Sequence, residues 1–291
     1  MRKQLFTLCT CLFLTACTAP AGPGQQQTAQ RPAEVQAQPA AQAEKQTTQV
    51  TAPEPAPAPQ PAVQPAQTDP PPAPRYTIDA KHFRIKSDKE QAEKIVLLTI
   101  DDGPTGKSTT ELLDALDRHQ AKAIWFVNGH QLAKKRKDGT YQILPEKAAL
   151  LKEIHSRGHL IGNHTWWHEN LRKLSPEQQR EEILSTNQVV EAITGSKPAF
   201  FRPPFGADTD ISRQICEEEG MQSVNWSVGS LDWDASVYKK PNGITQQVLD
   251  TIHNGGNILF HDRTWTAAEM DQLLTKLKQA GYTFVLPTES P

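Results

Sequence analysis

Asp101 and Asp102 stand side by side in the stretch Thr99-Ile100-Asp101-Asp102-Gly103-Pro104. Two adjacent carboxylates resist joint ionisation unless a metal ion or a guanidinium lies close, and the chain offers candidates for both. His164 and His168, four apart in His164-Thr165-Trp166-Trp167-His168, are a pair of borderline nitrogen donors. Joined by one aspartate, they make a ligand set suited to Zn2+ with one or two positions left open. Arg202, in Phe201-Arg202-Pro203-Pro204-Phe205-Gly206, carries a fixed positive charge that could hold an aspartate ionised and oriented. The prolines stiffen the backbone beyond it, which makes the Phe205 amide a candidate oxyanion donor. Leu231-Asp232-Trp233-Asp234 and Leu259-Phe260-His261-Asp262 complete the set. A histidine partnered by a carboxylate is how a general acid is kept charged near neutral pH.

Each of these groups follows an apolar run. Strand-like segments occur at 95–100, 123–127, 159–164, 199–205, 223–228, 257–261 and 283–286, and helical patterns at 108–119, 145–157, 176–193, 210–219, 244–253 and 267–280. Ser175-Pro176-Glu177 and Thr266 before Ala267 read as helix starts. Such alternation predicts an α/β domain, a distorted (β/α) barrel of about seven parallel strands, with an open doubly wound sheet as the alternative. In a barrel the reactive groups collect at the C-terminal strand ends. The polar exceptions to the apolar runs fall there.

Composition divides the 291 residues unevenly. Met1 to Ala16 has a basic start, Arg2 and Lys3, an apolar run from Leu5 to Leu14 and a small-residue exit, the pattern of a signal peptide too short to span a bilayer. Leu14-Thr15-Ala16-Cys17 resembles the lipobox of bacterial lipoproteins, which implies cleavage before Cys17 and lipidation of that residue. Thr18 rather than Asp follows it, which resembles the sorting pattern for the outer membrane of a two-membraned cell. An exported protein, lipid-anchored in the cell envelope and, if the cell has two membranes, on the periplasmic side of the outer one, is therefore expected. Residues 17–75 hold more than half of the 23 prolines and almost no large apolar side chain, so a disordered tether is predicted. Its coil dimension would be on the order of 40 Å. The folded domain is expected over 76–291. Cys216 is its one cysteine and reads as a small buried apolar residue. The net charge of -2 gives no sign of a nucleic-acid surface, and a monomer is expected.

Taken in order, Thr-Ile-Asp-Asp-Gly-Pro, His-Thr-x-x-His, Arg-Pro-Pro-Phe, Asp-Trp and Leu-x-His resemble the five motifs of polysaccharide deacetylases of the NodB-homology type, carbohydrate esterase family four. The likeness runs from about Lys94 to Leu286. Ile100 replaces the Phe usual in the first motif, a conservative change beneath the site. The resemblance implies a divalent metal, Zn2+ first with Co2+ or Ni2+ as substitutes, held by Asp102, His164 and His168. It implies Asp101 as general base, Arg202 as the residue that orients it, and His261 as general acid. Asp232 would pair with His261, with Asp234 as the alternative partner. Trp233 and Leu259 would wall the groove for an acetyl methyl. The implied activity is N-deacetylation of N-acetylglucosamine in an envelope glycan, which the tether suggests is peptidoglycan, with exported poly-N-acetylglucosamine or chitooligosaccharides next.

Three other classes fit parts of the pattern. An O-acetyl ester or small-amide hydrolase would use the same groups, a two-histidine, one-carboxylate set also serves iron oxygenases, and a decayed wall-binding lipoprotein would lack a complete set of roles. Lys134-Lys135-Arg136-Lys137 reads as a solvated basic loop and His130 as an ordinary loop residue. Trp166, Trp167 and Trp265 could offer platforms to sugar rings, whereas Trp226, in mid-strand, is expected in the core.

Overall fold

The computed structural model describes residues 73–89 and 94–288. The expected signal peptide, Cys17 and the tether up to residue 72 lie outside the described residues. Two units are distinguished, Met1–Gln67 and Thr68–Pro291, and all described elements belong to the second.

A small antiparallel hairpin, β1 (Tyr76–Ile78) and β2 (Ile85–Ser87), precedes β3 (Lys94–Gly103). Then follow α1 (Lys107–Arg118), β4 (Ala123–Val127), α2 (Gly129–Leu132), β5 (Ala133–Lys135), β6 (Tyr141–Ile143), α3 (Pro145–Ser156), β7 (Leu160–Asn163) and α4 (Pro176–Thr194). The last third holds β8 (Phe200–Phe201), α5 (Asp210–Glu219), β9 (Gln222–Ser223), β10 (Val228–Gly229), α6 (Ala235–Tyr238), α7 (Gly243–Thr251), β11 (Gly256–His261), α8 (Thr264–Gln279) and β12 (Tyr282–Phe284). The main sheet runs β10-β11-β3-β4-β7-β8-β9, with β12 paired to the start of β3, and every pairing in it is parallel. Among the described residues no helix is long and apolar enough to cross a membrane.

The two ends of that sheet order are one stretch of chain. Residues 222–229 pair with β8 at their start and β11 at their finish, and between them the Val224 amide donates to Phe201 O and the Ser227 amide to Asn257 O. The sheet is thereby curled into a distorted barrel, as the sequence predicts. The single strand expected at 223–228 is nevertheless split. Arg202 Nε donates to Val224 O at 3.0 Å, and Asn225 O accepts from Arg202 Nη2 and Asn257 Nδ2, both at 2.9 Å, so side chains take the carbonyls that a ladder would use. The strand expected at 199–205 also stops early, at Phe201. Pro203 and Pro204 lack N–H groups and fix φ, so pairing cannot continue past Arg202.

Strand alternation sets the layers. Val96, Leu98 and Ile100 of β3 pack outward against the helices with Leu112, Leu116, Leu273 and Leu277, while Ile95 and Leu97 face inward with Ile124, Phe126 and Phe200. Ile78 and Ile85 of the β1–β2 hairpin join that inner cluster. Thr99 and Asp101 share the inward parity of Leu97. The same alternation that builds the core therefore delivers Asp101 to the inner end of the barrel.

Helix α4 starts as expected, with the Ser175 hydroxyl accepting from Gln178 N and the Gln178 side chain accepting from Ser175 N. The start expected at Thr266 is wrong by nearly a turn. Helix α8 begins at Thr264, and the Thr266 hydroxyl donates to Asp232 instead of capping. The basic stretch at 134–137 is partly structured rather than a free loop: Lys135 lies in β5, paired with β6, and its ammonium bonds Glu181 at 2.7 Å above the Trp166 ring.

Candidate active site

Adjacent residues of a strand point to opposite faces, so Asp101 and Asp102 should not both reach one cavity. The register between β3 and β4 slips between Asp101 and Gly103, and Asp102 adopts a φ of 67°. This bulge turns the second carboxylate back to the mouth. Glycine at 103 leaves room for Asp262, whose Oδ2 a Cβ there would meet at 2.9 Å and have to displace. Buried Asp262 in turn accepts from Thr105 N, Ser108 Oγ and Thr109 Oγ1, tying the start of α1 to the end of β11. Of the eight described non-glycine residues with positive φ, five lie around this mouth: Asp102 at the end of β3, and Thr165, His168, Phe205 and Leu231 in the segments after later strands. Backbone held in that region costs free energy, and here it aims side chains.

Asp101 is buried, and Arg202, fully buried, donates through Nη1 to its Oδ1 at 2.8 Å and to Thr99 Oγ1 at 2.9 Å. The guanidinium lies 4.1 Å above the Phe126 ring and uses its remaining donors on the Val224 and Asn225 carbonyls. Burial lowers the Arg202 pKa against the pull of Asp101, yet a guanidinium stays charged in any protein environment. The free Oδ2 of Asp101 lies 3.5 Å from His164 Nε2.

His164 and His168 close a second cluster with Asp102. Asp102 Oδ1 is 3.9 Å from His164 Nε2 and 3.7 Å from His168 Nε2, and one ligand atom from each of the three residues falls within 4.8 Å of the others. Ligand bonds of about 2.0–2.2 Å set ligand–ligand separations of roughly 3.3–3.6 Å in a tetrahedral site, so the three side chains would draw together to hold an ion. His164 Nδ1 sits 2.7 Å from Arg202 O, which can only accept, so the ring carries its proton there and offers Nε2 as a lone pair. Burial first and His164 second push His168 down to about 4, keeping it neutral. Burial opposes ionisation of Asp102, but His164, His261, His168 and Arg263 outweigh it and hold the carboxyl below the usual range. The donor set thus fits a divalent ion.

Across the mouth, His261 is the register partner of Asp101 on the neighbouring strand. Its Nδ1 is 2.7 Å from Asp232 Oδ1, while Asp232 Oδ2 accepts from His261 N and Thr266 Oγ1, both at 2.7 Å. Burial alone would depress the imidazole; the hydrogen bond and charge of Asp232, with Asp101 and Asp102, more than offset it, and the pKa is raised above 6.5. Asp234, the alternative partner, is elsewhere: its carboxylate accepts from Ser236 N at the start of α6.

Eight of the expected residues, Asp101, Asp102, His164, His168, Phe205, Trp233, Leu259 and His261, line one cavity of about 430 Å³. Arg202 and Asp232 stand buried behind it. Besides Pro203 of the Arg-Pro-Pro-Phe motif, two lining residues were not expected there. Trp226, expected in the core, faces the cavity from the break between β9 and β10. Arg263 donates through Nη2 to Asp102 Oδ2 at 2.8 Å, leaving Oδ1 for the histidines. Nothing in its position before α8 separates it from a surface arginine. Trp166 is fully buried and offers no platform, while Trp265 is half-buried, with one face stacked on Tyr238 and its indole N–H donating to Asp232 O at 2.7 Å. Cys216 is buried, its thiol pushed up to about 12 chiefly by burial.

The family model for polysaccharide deacetylase matches residues 88–224. The peptidoglycan-N-acetylglucosamine deacetylase PgdA of Listeria monocytogenes is 36% identical over 198 residues, covering 68% of this chain and 39% of the relative. This chain thus spans about two fifths of that protein's length. The peptidoglycan-N-acetylmuramic acid deacetylase PdaA of Bacillus subtilis is 31% identical over 194 residues, covering 66% of this chain and 69% of the relative. A solved structure described as T48 deacetylase with substrate matches with a TM-score of 0.57 at 33% identity, over 66% of this chain and 88% of that one.

Proposed function

This chain belongs to the polysaccharide deacetylase family of the NodB type, and from that premise we propose that it hydrolyses the acetamide of N-acetylglucosamine residues in peptidoglycan, releasing acetate. The observation that carries the reading is the pairing of Asp101 with His261 across adjacent strands, the first braced by Arg202 and the second by Asp232, beside a cluster that fits a divalent ion. Amide hydrolysis needs those parts. The nitrogen is a poor leaving group unless protonated, and water is a poor nucleophile unless deprotonated.

Asp102, His164 and His168 would hold the metal, Zn2+ by its match to a nitrogen and oxygen donor set, with Co2+ or Ni2+ as substitutes. When bound it supplies Lewis-acid polarisation of the carbonyl and lowers the pKa of water. Asp101 Oδ2, the oxygen not taken by Arg202, accepts the proton of the attacking water. Arg202 keeps that carboxylate in one rotamer, and the Phe205 amide helps hold the oxyanion. His261, charged because of Asp232, gives its Nε2 proton to the departing amine. Leu259 and Trp233 wall the space for the methyl group. An iron oxygenase would have no use for the Arg202–Asp101 and Asp232–His261 pairs. The Leu14–Cys17 motif and the composition of 18–75 support a lipid-anchored envelope enzyme working at the end of a tether.

Acetate release from isolated peptidoglycan and from chitooligosaccharides by the full-length protein tests the reading, with Zn2+, with chelator, and with Asp101→Asn as control. Metal-dependent release lost in the variant is expected. Release from acetate esters alone, without new amino groups, would make the protein an O-acetyl esterase instead.

A further inference from the structure

Among the described residues three large apolar side chains are exposed: Trp167 at 55%, Phe205 at 66% and Trp233 at 47%. Phe205 and Trp233 line the cavity, but Trp167 does not. It directly precedes His168, and its indole is stacked on the His130 ring, with centroids 5.3 Å apart and planes at 21°. His130 is itself fixed, its Nδ1 lying 2.6 Å from Trp166 O. The Trp167 amide is bonded at 2.7 Å to Oε2 of the buried Glu182, and the buried Trp166 ring meets the indole edge-on at 6.4 Å. An exposed indole braced on its back face and at its backbone is pre-organised, so a ligand that covers its front face has little ordering cost to overcome. A singly exposed indole is ordinary on a protein surface; this one is set apart by its bracing and by its place next to His168, which lines the cavity.

The placement says where such a ligand runs. Phe205 meets the His168 ring at 4.8 Å, and Trp233 meets the His261 ring at 5.3 Å, so these two aromatics flank opposite sides of the mouth. Trp167 is the chain neighbour of His168 and stands outside the cavity lining. We propose that Trp167, backed by His130, is a stacking platform for a sugar ring of the glycan chain outside the cavity, so that the enzyme selects long oligomers over short fragments. The proposal rests on the glycan deacetylase reading.

Deacetylation of N-acetylchitopentaose and of N,N′-diacetylchitobiose is measured with the full-length, Zn2+-supplemented protein and with Trp167→Ala and Trp167→Tyr. For Trp167→Ala the KM for the pentamer is expected to rise roughly five- to tenfold with kcat little changed, while the dimer moves by less than about twofold. Trp167→Tyr should recover most of the loss. Equal losses on both substrates, or none on the pentamer, would overturn the platform. Calorimetric titration of the pentamer into Asp101→Asn, with and without Trp167→Ala, keeps the two readings apart. Binding through Trp167 without any acetate release by wild type would sink the deacetylase reading alone. Acetate release with equal affinities in the two titrations would sink the platform alone.

Discussion

Two kinds of histidine line one cavity, and their surroundings drive them in opposite directions. His168 is pushed down to about 4 by partial burial and by a neighbouring imidazole, whereas His261, also partly buried, is raised by Asp232. The ring partners differ in kind: His164 Nδ1 faces the neutral Arg202 carbonyl, and His261 Nδ1 faces the Asp232 carboxylate. Burial is common to both sides, so it cannot be what separates a lone-pair donor from a proton carrier. The buried carboxylate of Asp232 does most of that, by its hydrogen bond and its charge, with Asp101 and Asp102 adding to it.

The largest expected effect comes from erasing that difference. In Asp232→Asn the ring keeps a hydrogen-bonding neighbour but loses the charge, so His261 becomes like His164. Acetate release should fall about 10²- to 10⁴-fold at neutral pH. A general acid works only while protonated, so activity is lost as pH rises through the His261 pKa, and the alkaline limb of the kcat profile should move to lower pH in the variant. An unmoved limb would show that Asp232 does not set the charge of His261.

A smaller effect, of opposite sign, is expected from the other side of the rim once the metal is removed. Between pH 6.5 and about 4 the unfolded chain protonates His168 and the folded chain does not. Stability therefore rises with pH through that window and is lost on acidification, by on the order of 3 kcal/mol. The raised pKa of His261 works the other way: its contribution is fully present below 6.5 and disappears as pH rises through the folded value. Urea unfolding of chelated protein across this range, for wild type and His168→Asn, isolates the first term. Parallel curves would mean that His168 is not held neutral by the fold.

The contrast also marks where the sequence could be read. Asp101, His164, Arg202 and His261 each end an apolar run, and a charged or imidazole side chain at a strand end is visible without coordinates because alternation predicts an apolar residue there. Contacts made by groups off that pattern were not visible. Arg263 follows β11 and looks like any basic residue before a helix, and only the turn of the chain brings it to Asp102. The break at 224–227 depends on Arg202 reaching across to two carbonyls, so a local β-pattern reads straight through it, and Trp226 goes with it. Thr266 has the composition of a helix cap and is spent on Asp232.

That threonine gives the smallest and most selective perturbation of the comparison. Thr266→Val keeps the shape of a side chain that is buried and removes one of the two donors to Asp232 Oδ2, leaving the His261 amide in place. One hydrogen bond to a charged group contributes about 1.5–3 kcal/mol before the remaining partners adjust, so a several-fold loss of kcat is expected rather than the loss caused by Asp232→Asn. The direction on pH is the sharper readout. A carboxylate with one donor fewer concentrates its charge on the remaining partners, so the His261 pKa should hold or rise, and the alkaline limb should not move down. A limb displaced downward, as in Asp232→Asn, would mean that Thr266 keeps Asp232 in reach of the ring, and that position rather than charge is what sets His261 apart from His168.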